Sequence, residues 1–362
     1  MTTVASVLAE LNAQAPGDKA AGWDAHGLQI GDPADEVMRL AVCHEVTDQV
    51  ASLAVEGSVD LLISYHPLLF KPTTRLVAGP GPTGRAYRLA RAGIAVGIVH
   101  TAWDATTGGT ADALAAALDL TAVTRFGPID PAPLTKLVTF VPPAAIEIVA
   151  RALTEAGAGR IGNYSGCSFR SEGIGTFIPG HGAQPVIGQI GSISQEPEVR
   201  LEILLPQSLE SRVVAALHES HPYEEPPFDL HEVRANLGLI GRVGNLGRPM
   251  TLGDFSNRVT AILESPGRCS RHRSRAVTRV ALLPGSGGSF IEAAAATGAD
   301  VYVTGDLSHH QTRAALDLGM STIDPGHAAT ERPGVIKLMS VARTIMPGVI
   351  DLTEDATPWK EN

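Results

Sequence analysis

The chain reads as an α/β protein built of two similar α/β halves that form one core, with a ferredoxin-like α+β domain inserted between them. Three observations lead there. Short apolar strands alternate with helical stretches, the pattern of a mainly parallel sheet covered by helices. A unit of strand, histidine, three residues and carboxylate occurs twice, ending at Asp104 and at Glu331. Between about residues 131 and 235 the chain changes character, with its own order of strands and helices.

The first half covers residues 1–130. Its apolar run Leu61-Leu62-Ile63-Ser64 leads into Tyr65, His66 and Pro67, which places an imidazole at the carboxyl edge of a sheet. A helix is expected over Thr83 to Ala92. The strand Ala95 to Val99 then delivers His100, with Asp104 four residues on, and a second helix is expected over Thr110 to Leu118.

Pro131-Ala132-Pro133 opens the middle segment, residues 131–235. The strand Lys136 to Val141 passes through Pro142-Pro143 into an Ala-rich helix from Ala144 to Ala156. A Gly-rich stretch from Gly157 to Gly191 predicts turns and short strands. The strand Val199 to Leu205, the helix Leu209 to Ser220 and the segment from His221 onward complete a ferredoxin-like order.

The second half, residues 236–362, repeats the logic of the first. Val280 to Leu283 is a strand, and Pro284 to Ser289 reads as a tight strand-to-helix turn, since it lacks the lysine of a phosphate-binding loop. Helices are expected over Ile291 to Thr297 and His310 to Leu318. The strand Val301 to Gly305 runs out into Asp306, His309 and His310, and Ser321 to Asp324 runs into His327 and Glu331.

His100 with Asp104, and His327 with Glu331, have the i, i+4 spacing that aligns two side chains on one helical face. Imidazole combined with carboxylate favours zinc, iron or manganese. His66, Asp104, His327 and Glu331 each follow an apolar strand, where α/β sheets build ligand sites, and are read as metal ligands. His100, His309 and His310 either orient those ligands or act as acid/base groups. The remaining histidines, His26, His44, His181, His218, His221, His231 and His272, read as structural or solvated. The basic run Arg268 to Arg275 reads as a solvated loop.

Composition narrows the function classes. Over 362 residues the net charge is −10, which disfavours nucleic acid as a partner. Three cysteines without close spacing argue against a disulfide framework and a zinc knuckle. No apolar stretch approaches the roughly twenty residues of a membrane span, and the N-terminus lacks a leader pattern, so a soluble cytoplasmic protein is expected.

Several motifs now occur together in order: Trp23 to Gly31, Tyr65-His66-Pro67-Leu68, His100 to Asp104, Gly305 to His310, and Asp324 through Glu331, with Gly159 to Ser165 and His221 to Pro226 in the middle segment. On these the chain resembles the GTP cyclohydrolase 1 type 2 homologues, the Nif-three-like proteins. The resemblance implies a dinuclear metal centre, a hexameric ring, and an inserted domain of the P-two/CutA kind; with Tyr65 in place of a family histidine, one or two divalent ions per chain are expected. It further implies that His66 and Asp104 hold one metal, that His327 holds the other, and that Glu331 bridges them. The family pattern carries a histidine where this chain has Tyr65, and a neutral phenol is a poorer ligand than imidazole. The functional expectation is a metal-dependent hydrolase of a nucleotide-like substrate, with His100 or His310 moving the proton. The alternative is a non-catalytic metal-binding or regulatory ring that senses a small molecule through its inserted domain.

Overall fold

Short apolar strands followed by polar residues have few options except to pair with one another under helices, and that is the arrangement in the computed structural model. It describes residues 1–129, 133–161, 164–233, 238–270 and 272–354. By contacts the chain forms two compact units, Met1–Asp130 with Leu237–Asn362, and Pro131–Asn236.

The first unit opens with α1 (Val4–Gln14), β1 (Gly27–Ile30), β2 (Leu40–Cys43), α2 (Asp48–Glu56), β3 (Leu61–Ser64), α3 (Pro82–Arg91), β4 (Ala95–Ile98), α4 (His100–Ala105), α5 (Thr110–Ala117) and β5 (Thr121–Ile129). β2, β3 and β4 are parallel and fully buried, with Cys43 paired to Ser64 and Ser64 to Ile98. Their carboxyl ends therefore lie level, and the residues just beyond them share one edge.

The middle unit contains β6 (Leu134–Val141), α6 (Ile146–Glu155), β7 (Ser168–Phe177), β8 (Ser194–Pro206), α7 (Glu210–Ser220) and β9 (Phe228–Val233). Its four strands are antiparallel in the order β7-β8-β6-β9. Leu137, Leu201, Ile203 and Leu205 bury one sheet face under Val149, Leu153, Val213 and Leu217 of the two helices. The Gly-rich stretch was expected to hold only short strands. Instead β7 runs ten residues, because its whole length is laddered onto β8 from Ser168 opposite Ile203 to Phe177 opposite Ser194. Gly162 and Asn163 of the middle-segment motif lie outside the described residues.

The first unit resumes with β10 (Gly238–Thr251), α8 (Leu252–Leu263), β11 (Arg268–Cys269), β12 (Ala276–Ser286), α9 (Ile291–Ala296), β13 (Val301–Gly305), α10 (His309–Asp317), β14 (Ser321–Asp324), α11 (His327–Ile345) and β15 (Ile350–Leu352). The basic run does not begin as a solvated loop: Arg268 and Cys269 pair with Asp324 and Ile323 as β11, and Ser270 is buried. Arg271 lies outside the described residues.

The two sheets of this unit follow one plan. One runs β1-β4-β3-β2-β15 and the other β11-β14-β13-β12-β10-β5. Each has a parallel triplet in chain order and an antiparallel strand beside the third member. The halves also exchange edges, since β15 joins the first sheet and β5 the second. α11 packs against β2 of one sheet and β12 and β13 of the other, placing its first turn where the two sets of strand ends face each other. Val335, Leu338, Met339 and Ala342 of α11 share a core with Leu40, Val42, Leu61, Ile63 and Trp103.

Candidate metal centre

Consecutive strand ends of the first half supply one wall of the site. His44 follows β2, Tyr65 and His66 follow β3, and His100 follows β4. Backbone bonds carry the ladder past the strands: Tyr65 N–H donates to Cys43, His66 N–H to His44, and His100 N–H to Tyr65. His100 is held at φ +27, a conformation rare for a side chain other than glycine. The opposite wall is the first turn of α11, with His327 and Glu331 one above the other.

Glu331 is the hub. Its carboxylate is 3% exposed. Oε2 lies 2.7 Å from His44 Nε2 and 3.1 Å from His66 Nε2, and Oε1 lies 3.1 Å from His327 Nε2. Burial raises its pKa, but the hydrogen bonds from His327, His44 and His66 outweigh this and hold the carboxyl well below its usual range. His327 responds in the opposite sense. Burial lowers its pKa, yet Glu331 and Asp306 together push it up to about 9.

Tyr65 is fully buried and donates to Asp104 Oδ1 at 2.6 Å, with Glu331 Oε1 3.4 Å away. Burial, then the charges of Asp104 and Glu331, push the phenol well above its ordinary pKa. Burial likewise raises Asp104, to about 6. His44 and His66 stack with ring centroids 5.0 Å apart, and His66 lies 5.2 Å from His100 and 5.5 Å from His327.

Beyond these contacts sit carboxylates that aim the rings. His327 Nδ1 donates to Asp306 Oδ2 at 2.7 Å, and His100 Nδ1 to Asp24 Oδ1 at 2.7 Å. A ring held this way keeps Nε2 for a ligand, the usual support of metal-binding histidines. Gly285, at φ +70, backs the site so closely that a Cβ there would lie 2.5 Å from Glu331 Oε1.

One donor from each of His44, His66 and Glu331 lies within 4.8 Å of the others. Two imidazole nitrogens and a carboxylate oxygen fit a zinc, iron or manganese ion. The sequence reading grouped His66 with Asp104, His327 and Glu331, and His44 was set among the structural histidines. In the structure His44 joins His66 and Glu331, while Asp104 is tied to the Tyr65 hydroxyl. The signal for His44 was present, because it too follows a buried apolar strand, Leu40–Cys43. His310 stands apart. It is exposed in the first turn of α10 with its ring against His309, and among the described residues it makes no hydrogen bond or ring contact with the cluster.

Fold and site define a two-half α/β protein with a buried histidine–carboxylate cluster at facing strand ends. The chain belongs to the Duf34/NIF3 (NGG1p interacting factor 3) family, whose pattern matches residues 2–353. Among curated relatives, a Bacillus subtilis protein named GTP cyclohydrolase 1 type 2 homolog is 42% identical over 311 residues, spanning 84% of this chain and 83% of that one. A Mycobacterium leprae protein of the same name is 35% identical over 350 residues, spanning 94% and 90%. Among solved structures, a Bacillus cereus protein related to NIF3 superposes with a TM-score of 0.65 at 32% identity, covering 100% of this chain and 99% of that one.

Proposed function

We propose that this protein binds a divalent cation through His44, His66 and Glu331 and hydrolyses a nucleotide-like substrate. The observation that carries the reading is the buried Glu331 carboxylate met by three imidazoles from facing strand ends. A zinc, iron or manganese ion bound there supplies Lewis acidity to a water and to a substrate oxygen.

The chain's own residues suit a flat, phosphate-bearing substrate. Trp23 and Phe70 are 62% and 53% exposed, with ring centroids 5.8 Å apart, and each lies within 6.5 Å of the His100 ring. They border a cavity of about 300 Å³ that Asp24, Gln29 and Lys71 also line. A heterocycle stacks on such rings, and Lys71 adds a positive charge for phosphate. Burial lowers the His100 pKa, but the hydrogen bond and charge of Asp24 outweigh it and raise it above the usual histidine value, which suits the ring to proton transfer.

On the resemblance of its motifs we propose as well a hexameric ring in the cytoplasm, and a ferredoxin-like reading of the middle unit, which the strand order β7-β8-β6-β9 with two helices suits. The competing reading, a non-catalytic metal-binding or regulatory ring, is favoured by one observation. Tyr65 places an O–H between Asp104 and Glu331, where a second ion needs a ligand.

Metal-loaded protein should turn over at least one member of a panel of nucleoside triphosphates, phosphate esters and pterin precursors, and lose that activity on chelation. His100→Ala should lower turnover about a hundredfold or more while metal content stays. Stoichiometric metal without turnover on any member would replace the enzyme with the binding protein.

A further inference from the structure

A second cavity, of about 790 Å³, opens within the middle unit on the sheet face away from its two helices. Its charge is one-sided. Glu198, Glu224 and Glu225 line it, against one cation, Arg200. Arg200 is already engaged, with Nε 3.0 Å from Glu202 and the guanidinium 6.0 Å from the Phe140 ring centroid.

Glu198 is the informative residue. It is 8% exposed and accepts a hydrogen bond from the Tyr223 hydroxyl at 2.9 Å through Oε1. Among the described residues its Oε2 takes no hydrogen bond and no cation pairs with it. A carboxylate buried to this degree is ordinarily matched by a cation. The backbone of β7 makes room for it, since a Cβ at Gly175 would lie 2.1 Å from Glu198 Oε2. Around this charge the walls are apolar and uncovered. Phe177 and Tyr223 have ring centroids 6.4 Å apart at 53°, and Val186 is 64% exposed.

We infer that this cavity binds an organic ammonium compound, with its charged head at Glu198 and its apolar body against Phe177, Tyr223 and Val186. A buried carboxylate lacking a counterion, set beside aromatic faces, recognises positive charge joined to hydrocarbon and rejects anions. The site is independent of the metal centre, because none of its residues belongs to that unit.

Calorimetry on the full chain with three probes of one body decides the matter: phenethylamine, the uncharged phenethyl alcohol and the anionic 3-phenylpropionate. The amine should bind, the alcohol should bind about tenfold more weakly or worse, and the acid should not bind. Glu198→Gln should weaken the amine about tenfold or more without altering metal content, and Phe177→Ala should weaken it too. No binding of the amine at millimolar concentration, or equal binding of amine and alcohol, overturns the inference. If Glu198→Gln fails to fold by circular dichroism, the three-probe comparison on the native chain still decides it.

Discussion

Tyr65 is the residue on which the number of ions turns. Held between Asp104 and Glu331 and pushed above its ordinary pKa, its phenol keeps the proton and donates rather than ligates. Tyr65→His exchanges that donor for an imidazole able to offer a lone pair, and elemental analysis should show more metal per chain. An unchanged ratio, with two ions already in the parent, would show that Tyr65 leaves the second position intact. Glu331→Gln removes the charge on which His44, His66 and His327 converge, so metal content should fall close to zero. Full occupancy in that variant would sink the assignment.

At the scale of elements, β10 meets the α4–α5 region through apolar packing and one buried ion pair. Arg242 is wholly buried, and its Nε donates to Asp112 Oδ1 at 2.5 Å while Nη2 reaches the Thr106 carbonyl at 3.0 Å. Burial raises the Asp112 pKa, but the hydrogen bond from Arg242, assisted by Gly108 N–H, holds the carboxyl below its usual range. A depressed carboxyl contributes stability that is present above the unfolded pKa and lost as pH falls through the folded one. The native chain should therefore lose stability below the ordinary aspartate range, and Asp112→Ala should flatten that part of the curve. The variant leaves a buried guanidinium unpaired, at a cost on the order of 3 kcal/mol. Denaturant titrations at several pH values are the check. A variant as stable as the parent at neutral pH would show that backbone carbonyls alone satisfy Arg242.

For the whole molecule, the middle unit replaces a hairpin turn. β5 and β10 are antiparallel neighbours, and Ile129 lies opposite Gly238 in their ladder. The chain thus leaves and re-enters the first unit at paired residues, so a short turn can close the gap. No donor of the His44, His66 and Glu331 cluster lies between the two points. Deleting Leu134 to Val233 and joining the ends should leave a folded protein with undiminished metal content, measured by circular dichroism and elemental analysis. An aggregated product would show that the first unit needs the middle one to fold.

The sequence by itself determined the local units. Apolar strands followed by histidine, and histidine four residues before a carboxylate, are patterns written within about ten residues, because strand pairing and helix periodicity act over that range. His66, His327 and Glu331 stood out as candidates for that reason. What meets what was not. His44 and Glu331 stand 287 positions apart, and only the packing of α11 between two sheets brings them within 2.7 Å. α11 also continues past Pro333, which removes one helical hydrogen bond, because Val335, Leu338, Met339 and Ala342 bury the following turns. In the middle unit, β8 supplies the ladder that draws Gly173 and Gly175 into a ten-residue strand their propensity disfavours. Tertiary structure decided these points because burial and hydrogen bonding between distant segments outweigh local preference wherever the two disagree.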